Sequence, residues 1–130
     1  MSQPVLYVDT SAFLKLLVRE KESGPVREAL TDASLWSSTL LDVEAHRSAR
    51  RLGITPDHVA AALDSIALLA PTASTFASAR DIGPTTLRTL DALHLATALE
   101  LGSELEAVVT YDDRLAAGCA SVSLAVLAPS

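Results

Sequence analysis

Residues 5–14 read VLYVDTSAFL and decide the fold, because they predict a strand that passes directly into a helix. Val5–Val8 is a short apolar run with β-branched and aromatic residues, which is typical of a buried strand. Ala12–Val18 then has a helical pattern. Sites in open α/β sheets form beyond the carboxyl ends of the strands, and Asp9 stands at such an end.

The same alternation of strands and helices continues along the chain. Further strands are predicted at residues 35–37, 67–71, 107–110 and 122–127. Further helices are predicted at residues 23–33, 40–52, 55–66, 74–80 and 113–117, together with a long helix that ends at Gly102. Gly53 is typical of a helix end, and Thr55 followed by Pro56 is typical of a helix start. This order favours an α/β fold with a central parallel sheet and helices on both faces, in one domain spanning residues 1–130.

The composition sets limits on the class of protein. The chain has 130 residues, of which 49% are hydrophobic, and a single cysteine, Cys119, which we expect to be a small buried residue. The sequence has no apolar run of the ~18 residues that span a bilayer, and no signal peptide is evident, so we expect a cytoplasmic protein without a membrane segment. The net charge of −6 counts against nucleic-acid binding, unless part of the acidic excess surrounds a metal ion.

Two carboxylates follow predicted strands. Asp9 comes directly after Val5–Val8, and Asp112 follows the strand that ends near Thr110. Either residue could instead be the N-cap of the helix that follows it, since Asp is a preferred cap. If these acids bind a metal ion, Asp113 could be a ligand in place of Asp112 or beside it.

Two further carboxylates lie in predicted helices. Thr39 and Asp42 have capping-box spacing, which leaves Glu44 without a structural role of that kind, although it could form a surface ion pair with Arg47. Asp91 shares a helical face with apolar residues, where a carboxylate is costly unless it is paired or bound to a metal. The alternative is that the helix begins after Thr89, so that Asp91 lies in its first turn.

Together these acids predict a metal site. Carboxylates within ~4 Å of one another repel by up to about 4 kcal/mol per pair at a surface-like dielectric, unless a cation lies among them. Hard oxygen ligands suit Mg²⁺ or Mn²⁺, and no Cys/His pair has the spacing of a zinc site. We expect His94 to be a satisfied histidine at a helix surface; the alternative is that it contacts the substrate or one of the metal ligands.

The segments that carry the acids resemble a known family. They read LYVDTSAFLKLL, STLLDVEAHR, LDALHLATAL and VVTYDDRL. They resemble four successive motifs of VapC-type PIN domains, in the same order and with the same spacing, and they cover nearly the whole chain. The set is specific, although DTS alone would be trivial.

The resemblance implies a PIN-like α/β/α sandwich and a Mg²⁺- or Mn²⁺-dependent endoribonuclease, the toxin of a type II toxin–antitoxin system. It implies that the metal-binding catalytic residues are Asp9, Glu44, Asp91 and Asp112. It implies supporting roles for Ser11, Thr110 and Arg47, and leaves Asp113 open. It further implies an RNA substrate, a VapB-like antitoxin, a homodimer and a toxin–antitoxin hetero-oligomer.

Three other classes compete with this interpretation. A phosphoaspartyl phosphatase would need a second Asp two residues after Asp9, where the chain has Ser11. A receiver-like phosphoacceptor module would need a lysine after a late strand, but the lysines are Lys15 and Lys21. The third alternative is a PIN-like module that binds RNA or a partner without catalytic activity.

Overall fold

The computed structural model describes residues 3–130. Its strands are β1 (Val5–Val8), β2 (Ser34–Ser38), β3 (Ile66–Leu69), β4 (Leu105–Val109) and β5 (Val126–Leu127). Its helices are α1 (Thr10–Leu17), α2 (Ser23–Leu30), α3 (Leu40–Leu52), α4 (Pro56–Leu63), α5 (Ala73–Ala79), α6 (Thr89–Leu99) and α7 (Asp113–Ser121). A 3₁₀ turn at Gly102–Glu104 leads into β4.

The strands form one parallel sheet in the order β3-β2-β1-β4-β5. The first strand of the chain is therefore the central one, and its neighbour β4 comes from the far end of the sequence. This arrangement confirms the α/β fold with a central parallel sheet.

Helices cover both faces of the sheet. Side chains alternate along β1, so Leu6 and Val8 belong to a core shared with α1–α4, whereas Tyr7 belongs to a second core with α6 and α7. The result is the expected α/β/α sandwich. No helix within residues 3–130 is long and apolar enough to cross a membrane.

Several predicted boundaries were correct. Helix α3 ends at Gly53, whose φ of 75° is left-handed, and the Thr55 hydroxyl caps α4 by accepting a hydrogen bond from the His58 amide. Cys119 is buried, as expected.

Other boundaries were wrong, and in each case a turn or a strand pairing is the reason. Helix α4 ends at Leu63 because Ile66 pairs with Leu35 in the sheet. The long helix ends earlier than predicted, at Leu99, where a turn follows. It begins at Thr89, after a turn closed by a hydrogen bond from the Leu87 amide to the Pro84 carbonyl.

The final strand and the capping box also differ from expectation. Ser123 has a φ of 62°, and the strand begins after it, at Val126. Thr39 has helical backbone angles and its side chain makes no capping hydrogen bond. The hydroxyl of Ser38 accepts the Leu40 amide instead.

Candidate active site

The candidate site lies at the carboxyl ends of the adjacent strands β1 and β4. Asp9 directly follows β1, and its amide donates to the Val109 carbonyl at 3.0 Å, which continues the pairing of the two strands. Asp112 lies just beyond β4. Asp91 is in the first turn of α6, and Glu44 is one turn into α3.

Asp9 is nearly buried, with 5% of its surface exposed. Its Oδ2 atom accepts hydrogen bonds from Ser11 Oγ and Thr110 Oγ1, both at 2.8 Å, and a longer one from the Ser11 amide that caps α1. No donor among the described residues bonds Oδ1. Two hydroxyls therefore orient this carboxylate through one oxygen and leave the other for a ligand.

Asp112 is also held through one carboxylate oxygen, but by backbone amides. As the N-cap of α7 it accepts, at Oδ1, the amides of Arg114 at 2.8 Å and Leu115 at 3.2 Å. Within the described chain, Oδ2 has no hydrogen-bond donor. Thus Asp112 caps a helix and also has an oxygen without a protein donor at the carboxyl end of β4. Asp113, by contrast, is exposed in the first turn of α7.

Glu44 turns toward the core side of the site. Its Oε1 atom accepts a hydrogen bond from Thr10 Oγ1 at 3.1 Å and lies 2.6 Å from His94 Nε2. Its Oε2 atom meets no donor in the part of the chain described. Glu44 and Arg47 do not form the ion pair that was the alternative, and the Arg47 side chain is exposed.

The expectation for His94 was wrong, because this residue is buried, with 1% exposed. Its Nδ1 atom lies 2.7 Å from the Tyr7 hydroxyl, so both ring nitrogens are hydrogen-bonded. Burial lowers the pKa of His94, but the hydrogen bond to Glu44 and the nearby carboxylate charges outweigh it, so the pKa lies above its usual value.

Asp91 differs from the other three acids because it has no hydrogen-bond partner among residues 3–130. Helix α6 begins at Thr89, so the alternative in which Asp91 lies in the first turn is correct. Its partly buried position raises the pKa of its carboxyl, and the charges of Asp112 and Asp9 raise it further.

Asp91 therefore lies within the electric field of the other three acids, which come from separate parts of the chain. No three His, Cys, Asp or Glu side chains among residues 3–130 converge closely enough, as placed, to hold a metal ion. By donor chemistry the residues still fit one, because they offer carboxylate oxygens without protein donors. A divalent cation would also offset the charge that raises the pKa of Asp91.

Sequence reasoning missed Thr10 and His94 as hydrogen-bond partners of Glu44, and Tyr7 as the partner of His94. One signal was available for His94, since it lies in the apolar run of residues 92–96, where a surface position is improbable. No signal indicated Tyr7 or Thr10, because their contacts cross between distant elements.

Comparison with known proteins gives consistent matches. The PIN domain family model matches residues 6–119. Ribonuclease VapC47 of Mycobacterium tuberculosis is 41% identical over 96% of this chain and 97% of its own length. Ribonuclease VapC46 of the same organism is 40% identical over 96% of this chain and 98% of its own length.

Two solved structures share the fold. The first is Mycobacterium tuberculosis VapC20, described as a toxin that cleaves the sarcin-ricin loop; it has a TM-score of 0.71 at 16% identity, over 95% of this chain and 99% of its own. The second is a toxin–antitoxin complex from Klebsiella pneumoniae, which has a TM-score of 0.71 at 18% identity, over 96% of this chain and 98% of the matched chain.

Proposed function

This chain belongs to the PIN-domain family, among the VapC ribonucleases, and we propose that it is the endoribonuclease toxin of a toxin–antitoxin pair. Its substrate is RNA, and its reaction is hydrolysis of a phosphodiester bond. The observation that carries the proposal is the set of four acids at the carboxyl edge of the sheet, three of them with one oxygen fixed and the other without a protein donor.

We assign these acids to a divalent ion. Asp9, Glu44, Asp91 and Asp112 would hold Mg²⁺ or Mn²⁺, the cations that prefer carboxylate oxygens. When bound, such an ion lowers the pKa of water and offsets charge on the phosphate. The protein contributes by placing the carboxylates and by keeping the inner part of the site closed, since Asp9 is nearly buried.

Supporting residues have separate roles in this proposal. Ser11 and Thr110 hold Asp9 by their hydroxyls, and Thr110 Oγ1 also accepts the Asp112 amide at 3.0 Å, so one hydroxyl links two of the acids. Arg47 is exposed on α3, three residues after Glu44, where it would contact an RNA phosphate. Asp113 would be at most an outer ligand, because it is exposed beside the N-cap.

The acidic surface limits how RNA is bound. A chain with a net charge of −6 gains little from non-specific phosphate contacts. We therefore propose that recognition depends on the shape of the RNA, the bound cation and a few arginines. We expect an activity on RNA that an antitoxin holds in check to operate in the cytoplasm.

The partners would be a VapB-like antitoxin and a second copy of the chain. Large apolar side chains remain exposed, among them Phe76 at 53% and Leu90 at 47%, and a partner would cover such surface. Light scattering of the isolated chain and of its mixture with the antitoxin would report both assemblies. A chain that stays monomeric at high concentration would contradict the homodimer.

The test of the function is cleavage of a structured RNA by the purified, antitoxin-free chain. We expect discrete cuts with Mg²⁺ or Mn²⁺, no cuts with EDTA, and no cuts by Asp9→Asn. The control is Asp57→Asn, which removes an exposed acid from the first turn of α4 and should cut normally. Cuts that persist in Asp9→Asn would refute the assignment. Metal binding without cleavage of any RNA would indicate the non-catalytic alternative.

A further inference from the structure

We propose that His94 is a positioning residue that fixes the orientation of Glu44 for the metal ion. The inference rests on the proposed function, because it assigns Glu44 as a ligand. Its starting point is geometry: a ring with 1% exposure places Nε2 at 2.6 Å from Glu44 Oε1 and Nδ1 at 2.7 Å from the Tyr7 hydroxyl.

The ring connects three of the elements that carry the acids. His94 is on α6, one turn after Asp91; Glu44 is on α3; and Tyr7 is on β1, two residues before Asp9. A single buried side chain therefore spans the contact between two helices and the central strand. A histidine that only packed in the core would need no carboxylate partner near the carboxyl ends of the strands.

The bond to His94 matters because the only other hydrogen bond that holds the Glu44 side chain within residues 3–130 is the longer one from Thr10, at 3.1 Å. The Glu44 side chain is 25% exposed, and a glutamate has three rotatable side-chain bonds whose freedom is lost when it binds a metal. His94 and Thr10 both bond Oε1, which leaves Oε2 for the ion. Tyr7 in turn fixes the imidazole, and the two rings meet edge to face with centroids 5.8 Å apart.

Partners of this kind, which orient a ligand without touching the metal, commonly contribute 10- to 100-fold to metal affinity or activity. We therefore expect His94→Leu to weaken Mn²⁺ binding by roughly 10- to 100-fold. His94→Gln keeps an N–H donor near the place of Nε2 and should recover part of that loss. The matched control is His58→Leu, which changes an exposed histidine on α4 and should bind Mn²⁺ like the wild type.

The experiment is Mn²⁺ titration of the full chain by calorimetry, with melting temperatures in EDTA measured in parallel. Weaker binding by His94→Leu with partial rescue by His94→Gln supports the inference. If His94→Leu melts earlier in EDTA but binds Mn²⁺ as tightly as the wild type, His94 only stabilises the core and the inference is overturned. A wild-type chain that binds no Mn²⁺ overturns the proposed metal site itself.

A milder variant covers the case in which His94→Leu does not fold. Tyr7→Phe keeps the ring in the core and removes only the hydroxyl that anchors His94 Nδ1. We expect it to weaken Mn²⁺ binding in the same direction and by a smaller factor. Wild-type affinity in Tyr7→Phe would show that the anchored imidazole does not set Mn²⁺ affinity and would contradict the positioning role.

Discussion

At the scale of single residues, Asp91 is the acid whose ionised form is disfavoured in the metal-free protein. Burial and the charges of Asp112 and Asp9 raise its pKa, so the ionised form is disfavoured in the folded state without a cation. We therefore expect Asp91→Asn to melt at a higher temperature than the wild type in EDTA at neutral pH. Added Mn²⁺ should reverse the order, because the variant lacks one of the four proposed ligands.

Asp57→Asn is the control for that prediction. Asp57 is also in the first turn of a helix, α4, but it is exposed, so its charge stabilises the positive end of the helix dipole. Its loss should cost about 0.3–1 kcal/mol. A melting temperature of Asp91→Asn in EDTA at or below that of Asp57→Asn would show that repulsion among the acids is negligible.

Cys119 gives a prediction that depends on pH. Its thiol is fully buried on α7, and burial raises its pKa to about 11. Because the thiolate is the reactive form, the folded chain should react very slowly with an aromatic disulfide reagent at pH 8. The same chain in denaturant should react at once. Fast reaction of the folded chain would mean that α7 separates readily from the sheet.

The sequence placed Asp9 and Asp112 correctly because position alone defines them: each follows a buried strand. The apolar run around His94 indicated that it is buried, but no local pattern indicated which side chains meet its ring. Its partners are the hydroxyl of Tyr7 on β1 and the carboxylate of Glu44 on α3. Contacts between distant elements are the part that local patterns do not encode.

At the scale of elements, the turn at Gly53 connects α3 to α4 and is sensitive to substitution. Gly53 has a φ of 75°, where a Cβ atom is strained even though the space around it is open. We expect Gly53→Ala to reduce the free energy of unfolding by about 1–2 kcal/mol. Gly24→Ala is the matched control, because Gly24 lies in α2 without positive φ and has open space, so alanine should be neutral or stabilising.

Equal stability of the two glycine variants in urea denaturation would disprove the left-handed turn.

Local signals such as a left-handed glycine or a helix cap explain which element boundaries were predictable. Gly53 sets the end of α3 and Thr55 sets the start of α4, and both of these predicted boundaries were correct. The end of α4 was wrong because Ile66 pairs with Leu35 in the sheet, and the end of the long helix was wrong because a turn follows Leu99.

At the scale of the whole molecule, a cation that binds four elements should stabilise the fold. A ligand specific for the folded state contributes about 2.7 kcal/mol at a concentration 100 times its Kd, which is roughly 10 °C in melting temperature for a domain of this size. We expect the wild type to show such a rise in Mn²⁺ and Asp9→Asn to show little. Sodium chloride at matched ionic strength controls for non-specific charge screening, and an equal gain from Mn²⁺ in the wild type and in Asp9→Asn would contradict the site.

The order of the sheet also bears on how the chain is made. Asp9 and the hydroxyl of Thr110 that holds it are separated by 101 residues, and β4 is the neighbour of β1. During synthesis, the edge of β1 that pairs with β4 therefore stays uncovered until residues 105–109 have emerged from the ribosome. The acid cluster cannot assemble before that point, because Thr110 and Asp112 follow β4.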